Sequence, residues 1–83
     1  MTQADIKVYG ADWCGDCRRA KKFMEEHGIR FQWIDVEVDD EARMEVERLN
    51  NGKRIIPTII FQDGSILVEP SNAQLAKKLG IGL

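Results

Sequence analysis

Several things a functional site is often built from are scarce in this chain. Its 83 residues include one histidine, two cysteines and two prolines, and 12 Lys and Arg stand against 14 Asp and Glu for a formal charge of −2. A closed zinc site takes four ligands, and the single histidine, His27, is predicted at the far end of the helix that follows the cysteines, so zinc is poorly served. Without a basic excess the electrostatic footprint of a nucleic-acid partner is missing. The opening Met1-Thr2-Gln3-Ala4-Asp5 has neither the basic flank nor the apolar core of a signal peptide, so a cytoplasmic protein without a membrane partner is expected. No internal repeat, low-complexity run or linker interrupts the sequence, and so short a chain buries only a modest core. Residues 1–83 are therefore expected to form one compact domain.

What the chain does have is Trp13-Cys14-Gly15-Asp16-Cys17, with its only two cysteines three apart. Ile6 to Tyr9 reads as a strand, Gly10 to Asp12 as a turn, and Cys14 to His27 as a helix stopped by Gly28. Cys14 then sits at a helix N-terminus, where unsatisfied N–H groups and the partial positive charge favour the thiolate, the nucleophile of disulfide exchange. Cys17, one turn on, shares its face, so the two sulfurs can close or open a disulfide with little backbone movement. A purely structural bridge is disfavoured, because so short a loop removes little entropy from the unfolded chain. The pattern points to dithiol redox chemistry, with metal handling as the lesser reading.

The remaining elements follow from periodicity and turn chemistry. Ile29 to Val36, with Phe31, Trp33, Ile34 and Val36, reads as a strand buried on both sides, parallel to the first through a right-handed crossover. The acidic stretch Asp35 to Glu41 suits the start of a second helix, on which Ala42, Val46 and Leu49 fall inward and which Asn50-Asn51-Gly52 ends. Ile55 to Phe61 is apolar around Pro57, a residue that belongs at a strand's start. Asp63-Gly64 signals a hairpin into Ile66 to Val68, and Ser71 with Gln74 forms a capping box for a last helix that places Leu75, Ala76 and Leu79 inward and stops at Gly80. The order is βαβαββα, an α/β arrangement of three helices and a four-stranded mixed sheet, with the cysteines at the carboxyl end of the first strand. Trp13 is read either as part of a docking platform or as a cover for the core's end, Trp33 as core, Met24 as part of an apolar helix face, and His27 as a helix-end cation.

These residues resemble the glutaredoxin branch of the thioredoxin superfamily: a strand followed by Trp-Cys-Gly-x-Cys, then Ile56-Pro57-Thr58, then a hairpin and a helix. Within that branch the chain is most similar to mycoredoxins and related short glutaredoxin-like proteins, through Trp13-Cys14-Gly15, Asn50-Asn51-Gly52-Lys53-Arg54, and Asp63-Gly64-Ser65 followed by Pro70-Ser71. The resemblance implies a thioredoxin-like fold in which Cys14 attacks and Cys17 resolves. It also implies that Pro57 is a cis-proline lying against the sulfurs, that the backbone of Ile56 pairs with bound substrate, and that Arg54 helps hold the carboxylate of a small thiol. Three departures stand out. Val68-Glu69-Pro70-Ser71 replaces the Gly-Gly-acidic run of glutathione binders, which argues against glutathione. Ala11 and Asp12 stand where the family carries a lysine. Asp16 adds a negative charge beside Cys14 that opposes the helix terminus, with Arg18, Arg19, Lys21 and Lys22 available to offset it.

The expectation is a monomeric thiol-disulfide oxidoreductase with no bound cofactor. It would act on disulfide-containing proteins or on mixed disulfides between protein and small thiol, and draw electrons from a low-molecular-weight thiol or a flavin-dependent reductase. Two alternatives remain. One is a dithiol donor to an enzyme such as ribonucleotide reductase, fed by thioredoxin reductase. The other is a metal carrier or iron–sulfur module, the carriers' βαββαβ order fitting poorly here.

Overall fold

The computed structural model describes residues 6–82; the Met1 to Asp5 segment, on which the cytoplasmic expectation rests, lies outside them. The elements follow the expected order: β1 (Lys7–Gly10), α1 (Gly15–Glu26), β2 (Gln32–Asp35), α2 (Asp40–Leu49), β3 (Thr58–Ile60), β4 (Ile66–Val68) and α3 (Asn72–Leu79). The four strands form one mixed sheet in the order β2-β1-β3-β4. β1 runs parallel to β2, with Val8 opposite Trp33 and Tyr9 opposite Ile34, and antiparallel to β3, with Val8 opposite Ile59 and Tyr9 opposite Thr58. β3 and β4 close the sheet as a hairpin, Ile59 facing Leu67.

Side chains alternate across the pleat, and the two faces bury different helices. Val8 and Ile59 join Ala20, Phe23 and Met24 of α1 and Leu75 and Ala76 of α3 in one core, together with Ile6 and Phe61. Tyr9 turns the other way, to Val36 and to Ala42 and Val46 of α2. Burying an aliphatic or aromatic side chain of this size contributes roughly 1.5–3 kcal/mol, and the sheet's two apolar faces account for why both layers of helix are held.

One expectation is corrected. The strand predicted over Ile29 to Val36 is only Gln32–Asp35, and Gln32 is exposed while Trp33, Ile34 and Asp35 are half-buried. The cause is topological: β2 is an edge of the sheet, so one flank lacks a neighbour. Ile29 and Phe31 still pack against the core, but as the irregular lead-in after the left-handed Gly28.

Helix ends follow their sequence signals. Asp39 caps α2 by accepting from the Ala42 N–H at 3.0 Å. Ser71 and Gln74 complete the capping box of α3, and Gly80 leaves it in the left-handed conformation. His27 is the C-cap of α1, its ring 4.4 Å from Phe23. No helix among the described residues is long and apolar enough to cross a membrane.

Candidate active site

The strand-to-helix turn places Cys14. Cys14 donates its N–H to the Ala11 carbonyl at 3.2 Å and takes extended backbone angles as the N-cap of α1. Its Sγ accepts the Cys17 N–H at 3.3 Å, the role that serine or aspartate oxygens usually fill at a helix start. The sulfur is thus held by the cap geometry itself, at the end of the helix whose dipole favours negative charge. Cys14 is half-buried, and Cys17, one turn deeper, is 0% exposed. Burial pushes the Cys17 thiol up to about 12, helped by its hydrogen bond to Cys14 and by the charge of Asp16, while a backbone hydrogen bond from Ala11 pulls the other way.

Across from Cys14 lies the loop that enters β3. The Ile56–Pro57 bond is cis, and the Cys14 thiol faces the Ile56 carbonyl at 4.0 Å. A partly buried polar chain holds this loop. Asn50, the C-cap of α2, donates from Nδ2 to the Val46 carbonyl at 2.8 Å and to Thr58 Oγ1 at 3.2 Å, and Thr58 Oγ1 donates to the Ile55 carbonyl at 2.6 Å. The Asn at the end of α2 is legible in the sequence as a stop signal, yet here it also ties that helix to the proline loop. Beyond β4, Glu69 donates its N–H to the Pro57 carbonyl at 2.8 Å and has φ +50°. A left-handed backbone is where glycine is at ease, and Glu69 lies in the segment where the sequence departs from the family's Gly-Gly pair.

The other site residues read from sequence divide. Trp13 is 64% exposed, so it does not cover the core; its indole stands open beside the cysteines. Arg54 lies two residues before Ile56, but its Nη1 is already matched by Glu37 at 3.2 Å, on the loop after β2. Of the basic cluster on α1, Arg19 pairs with Asp16 at 3.5 Å and reaches the Pro70 carbonyl at 3.0 Å and Asn72 Oδ1 at 2.8 Å. It therefore both counters Asp16 and fastens α1 to the start of α3. Among the described residues, no cluster of three His, Cys, Asp or Glu side chains is arranged to hold a metal ion.

Trp33, read as core, does pack against it, and Gly10, read as a turn, ends β1; the sequence reading gave neither a place beside the cysteines. A Cβ at Gly10 would lie 2.7 Å from Trp33 Cη2 and 2.8 Å from Cys17 Sγ. The Cys17 sulfur and the indole edge thus converge on the backbone of β1, and only glycine leaves the space. The sequence does carry a signal, a glycine ending an apolar strand just before the cysteines, but it reads equally well as a turn residue.

A solvent-reachable sulfur capping a helix, a second sulfur buried behind it and a cis-proline opposite define a thiol-disulfide oxidoreductase of thioredoxin-like fold. The Glutaredoxin family model matches residues 6–66, and the chain belongs to that family. It is 34% identical to mycoredoxin 1 of Corynebacterium glutamicum over 76 residues, 92% of this chain and 94% of that one. Among solved structures, methanoredoxin from Methanosarcina acetivorans superposes with a TM-score of 0.78 at 26% identity, covering 92% of this chain and 84% of that one. A mutant of a thioredoxin-like protein shares the fold with a TM-score of 0.83 at 23% identity, over 94% of this chain and 97% of that one.

Proposed function

We propose that the protein reduces mixed disulfides between proteins and a small thiol other than glutathione, with Cys14 as nucleophile and Cys17 as the resolving group. The observation that carries this reading is the Cys14 sulfur, held by the Cys17 N–H at 3.3 Å and facing the Ile56 carbonyl beside cis-Pro57. Cys14 attacks the small-thiol sulfur and releases the protein thiol. The small thiol left on Cys14 is then cleared by Cys17, which closes the Cys14–Cys17 disulfide, or by a second small-thiol molecule. Trp13, Ile56 and Pro57 form the substrate-side rim, and residues 1–83 act as a single domain without a resident cofactor. Electrons come from the small-thiol pool or a flavin-dependent reductase.

The pairing of Arg54 with Glu37 supports the exclusion of glutathione. A thiol that relied on Arg54 for its carboxylate would have to displace Glu37, at a cost that cancels much of what the Arg fork supplies. The test is turnover of protein mixed disulfides made with several small thiols, measured beside thioredoxin reductase as the alternative electron source. Cys14→Ser should be inactive with every substrate, and a Cys14→Ser protein with full activity refutes the mechanism. Cys17→Ser should keep turnover of small-thiol mixed disulfides; its complete inactivity would instead favour a dedicated dithiol donor.

A further inference from the structure

The indole of Trp33 presses its Cη2–Cζ3 edge onto the point above Gly10 where Cys17 Sγ also arrives. Trp33 comes from the edge strand β2, not from the helix or loops that carry the cysteines, and Lys21 of α1 sets its ammonium over the indole 4.6 Å from the ring centroid. The ring is therefore held from the helix side by a cation and from the strand side by the β1 backbone. Behind it Cys17 is fully buried.

We propose that Trp33 is a positioning residue for Cys17: its indole seals the resolving sulfur against Gly10, and so sets whether the mixed disulfide on Cys14 is cleared by Cys17 or by a second thiol. The inference rests on the exchange reaction proposed for Cys14 and Cys17 and adds the group that governs its second half. In that half, Cys17 gives its proton to water and its thiolate attacks Cys14 Sγ. The Cys14–Cys17 bond forms, the bond to the small thiol breaks, and the leaving thiolate takes up a proton, so one disulfide replaces another without net electron change. A dry Cys17 ionises with difficulty, which slows closure and leaves time for the outside thiol.

What faces Cys17 from the end of β1 and the residue after it is the backbone of Gly10 and Ala11, and from β2 the uncharged indole. Cys14 and Asp16, the titratable groups acting on it, sit on its own helix or at its cap, and both oppose ionisation. Once Cys14 is in a mixed disulfide it no longer carries charge, and the seal remains as the leading obstacle.

The experiment uses the whole reduced protein and dithiobis(nitrobenzoate), whose coloured thiolate is released twice: first as Cys14 attacks, then as Cys17 closes the ring. In Trp33→Leu, water reaches Cys17, and the pH dependence of the second phase should move to lower pH by about one unit. One unit multiplies the thiolate fraction about tenfold, and the accompanying loss of nucleophilicity takes back about threefold, leaving closure about threefold faster at neutral pH. Trp33→Phe, which lacks the Cη2–Cζ3 edge but keeps a ring, should fall between the two; it carries the test if Trp33→Leu does not fold. A second phase whose pH dependence is unmoved in the folded variant overturns the proposal, as does one that is merely slower. Absence of the first phase in the unaltered protein would instead overturn the reading of the site itself.

Discussion

Gly10→Ala tests the close approach at the centre of this site. The glycine is not there for its backbone freedom, since its φ lies outside the left-handed region; the constraint is space. An added Cβ would meet Trp33 Cη2 at 2.7 Å and Cys17 Sγ at 2.8 Å, where ordinary contact begins at 3.4 Å. Each side chain must retreat by more than about half an ångström in an interior that is close-packed. Two side chains driven off their rotamers at about 0.5–1.5 kcal/mol each come to about 1–3 kcal/mol, the range measured for overpacked cores. In a domain of this size that lowers Tm by roughly 4–8 °C for each kcal/mol. Thermal unfolding of the reduced protein, followed by circular dichroism, is the assay. Gly15→Ala is the control: Gly15 opens α1 and a Cβ there meets nothing within 4 Å, so its Tm should hold or rise. A Gly10→Ala protein melting with the unaltered one would refute the packing described for Trp33 and Cys17.

Three further outcomes follow from the same geometry. Thr58→Val keeps the shape of a fully buried side chain but removes the hydroxyl shared by Asn50 and Ile55. It should lower the denaturant midpoint by an amount worth about 1–3 kcal/mol, and an unchanged midpoint would show that the chain does not hold the proline loop. Cys17 titrates near the ordinary thiol value of 9.0 when unfolded and at about 12 when folded, so its contribution to stability is whole below pH 9.0 and is lost as pH rises toward about 12. Relative to Cys17→Ala, the reduced protein should therefore lose stability across that window in denaturant titrations, whereas a difference independent of pH would contradict the burial of that thiol. Glu37→Gln frees Arg54, which should lower KM for mixed disulfides of a carboxylate-bearing thiol such as glutathione by about two- to fivefold with kcat little changed; an unaltered KM would show that Glu37 does not compete.

Much of the architecture was legible because its signals are local. The capping box of Ser71 and Gln74, the glycine stops at 28 and 80 and the Asp63-Gly64 turn each act within a few residues, and each matches the structure. The misread element is β2, because the apolar density of Ile29 to Val36 fits a central strand as well as an edge strand with a packed lead-in. Only the order of pairing separates the two. The candidate site divides in the same way. Cys14 and Cys17 are marked by spacing alone, while the indole that shields Cys17 comes from β2 and the carboxylate that occupies Arg54 comes from the loop beyond it.

By itself the sequence determined where chemistry can start: a cysteine at a helix N-terminus with a second one turn behind, since helix geometry is set by neighbours along the chain. Tertiary structure alone decided what surrounds them. It leaves Trp13 open, buries Cys17, brings Trp33 and Cys17 together over Gly10, brings the Ile56 carbonyl to Cys14 and matches Arg54 with Glu37. These are contacts between residues far apart in the chain, and they exist only once the sheet has brought β1, β2 and β3 side by side.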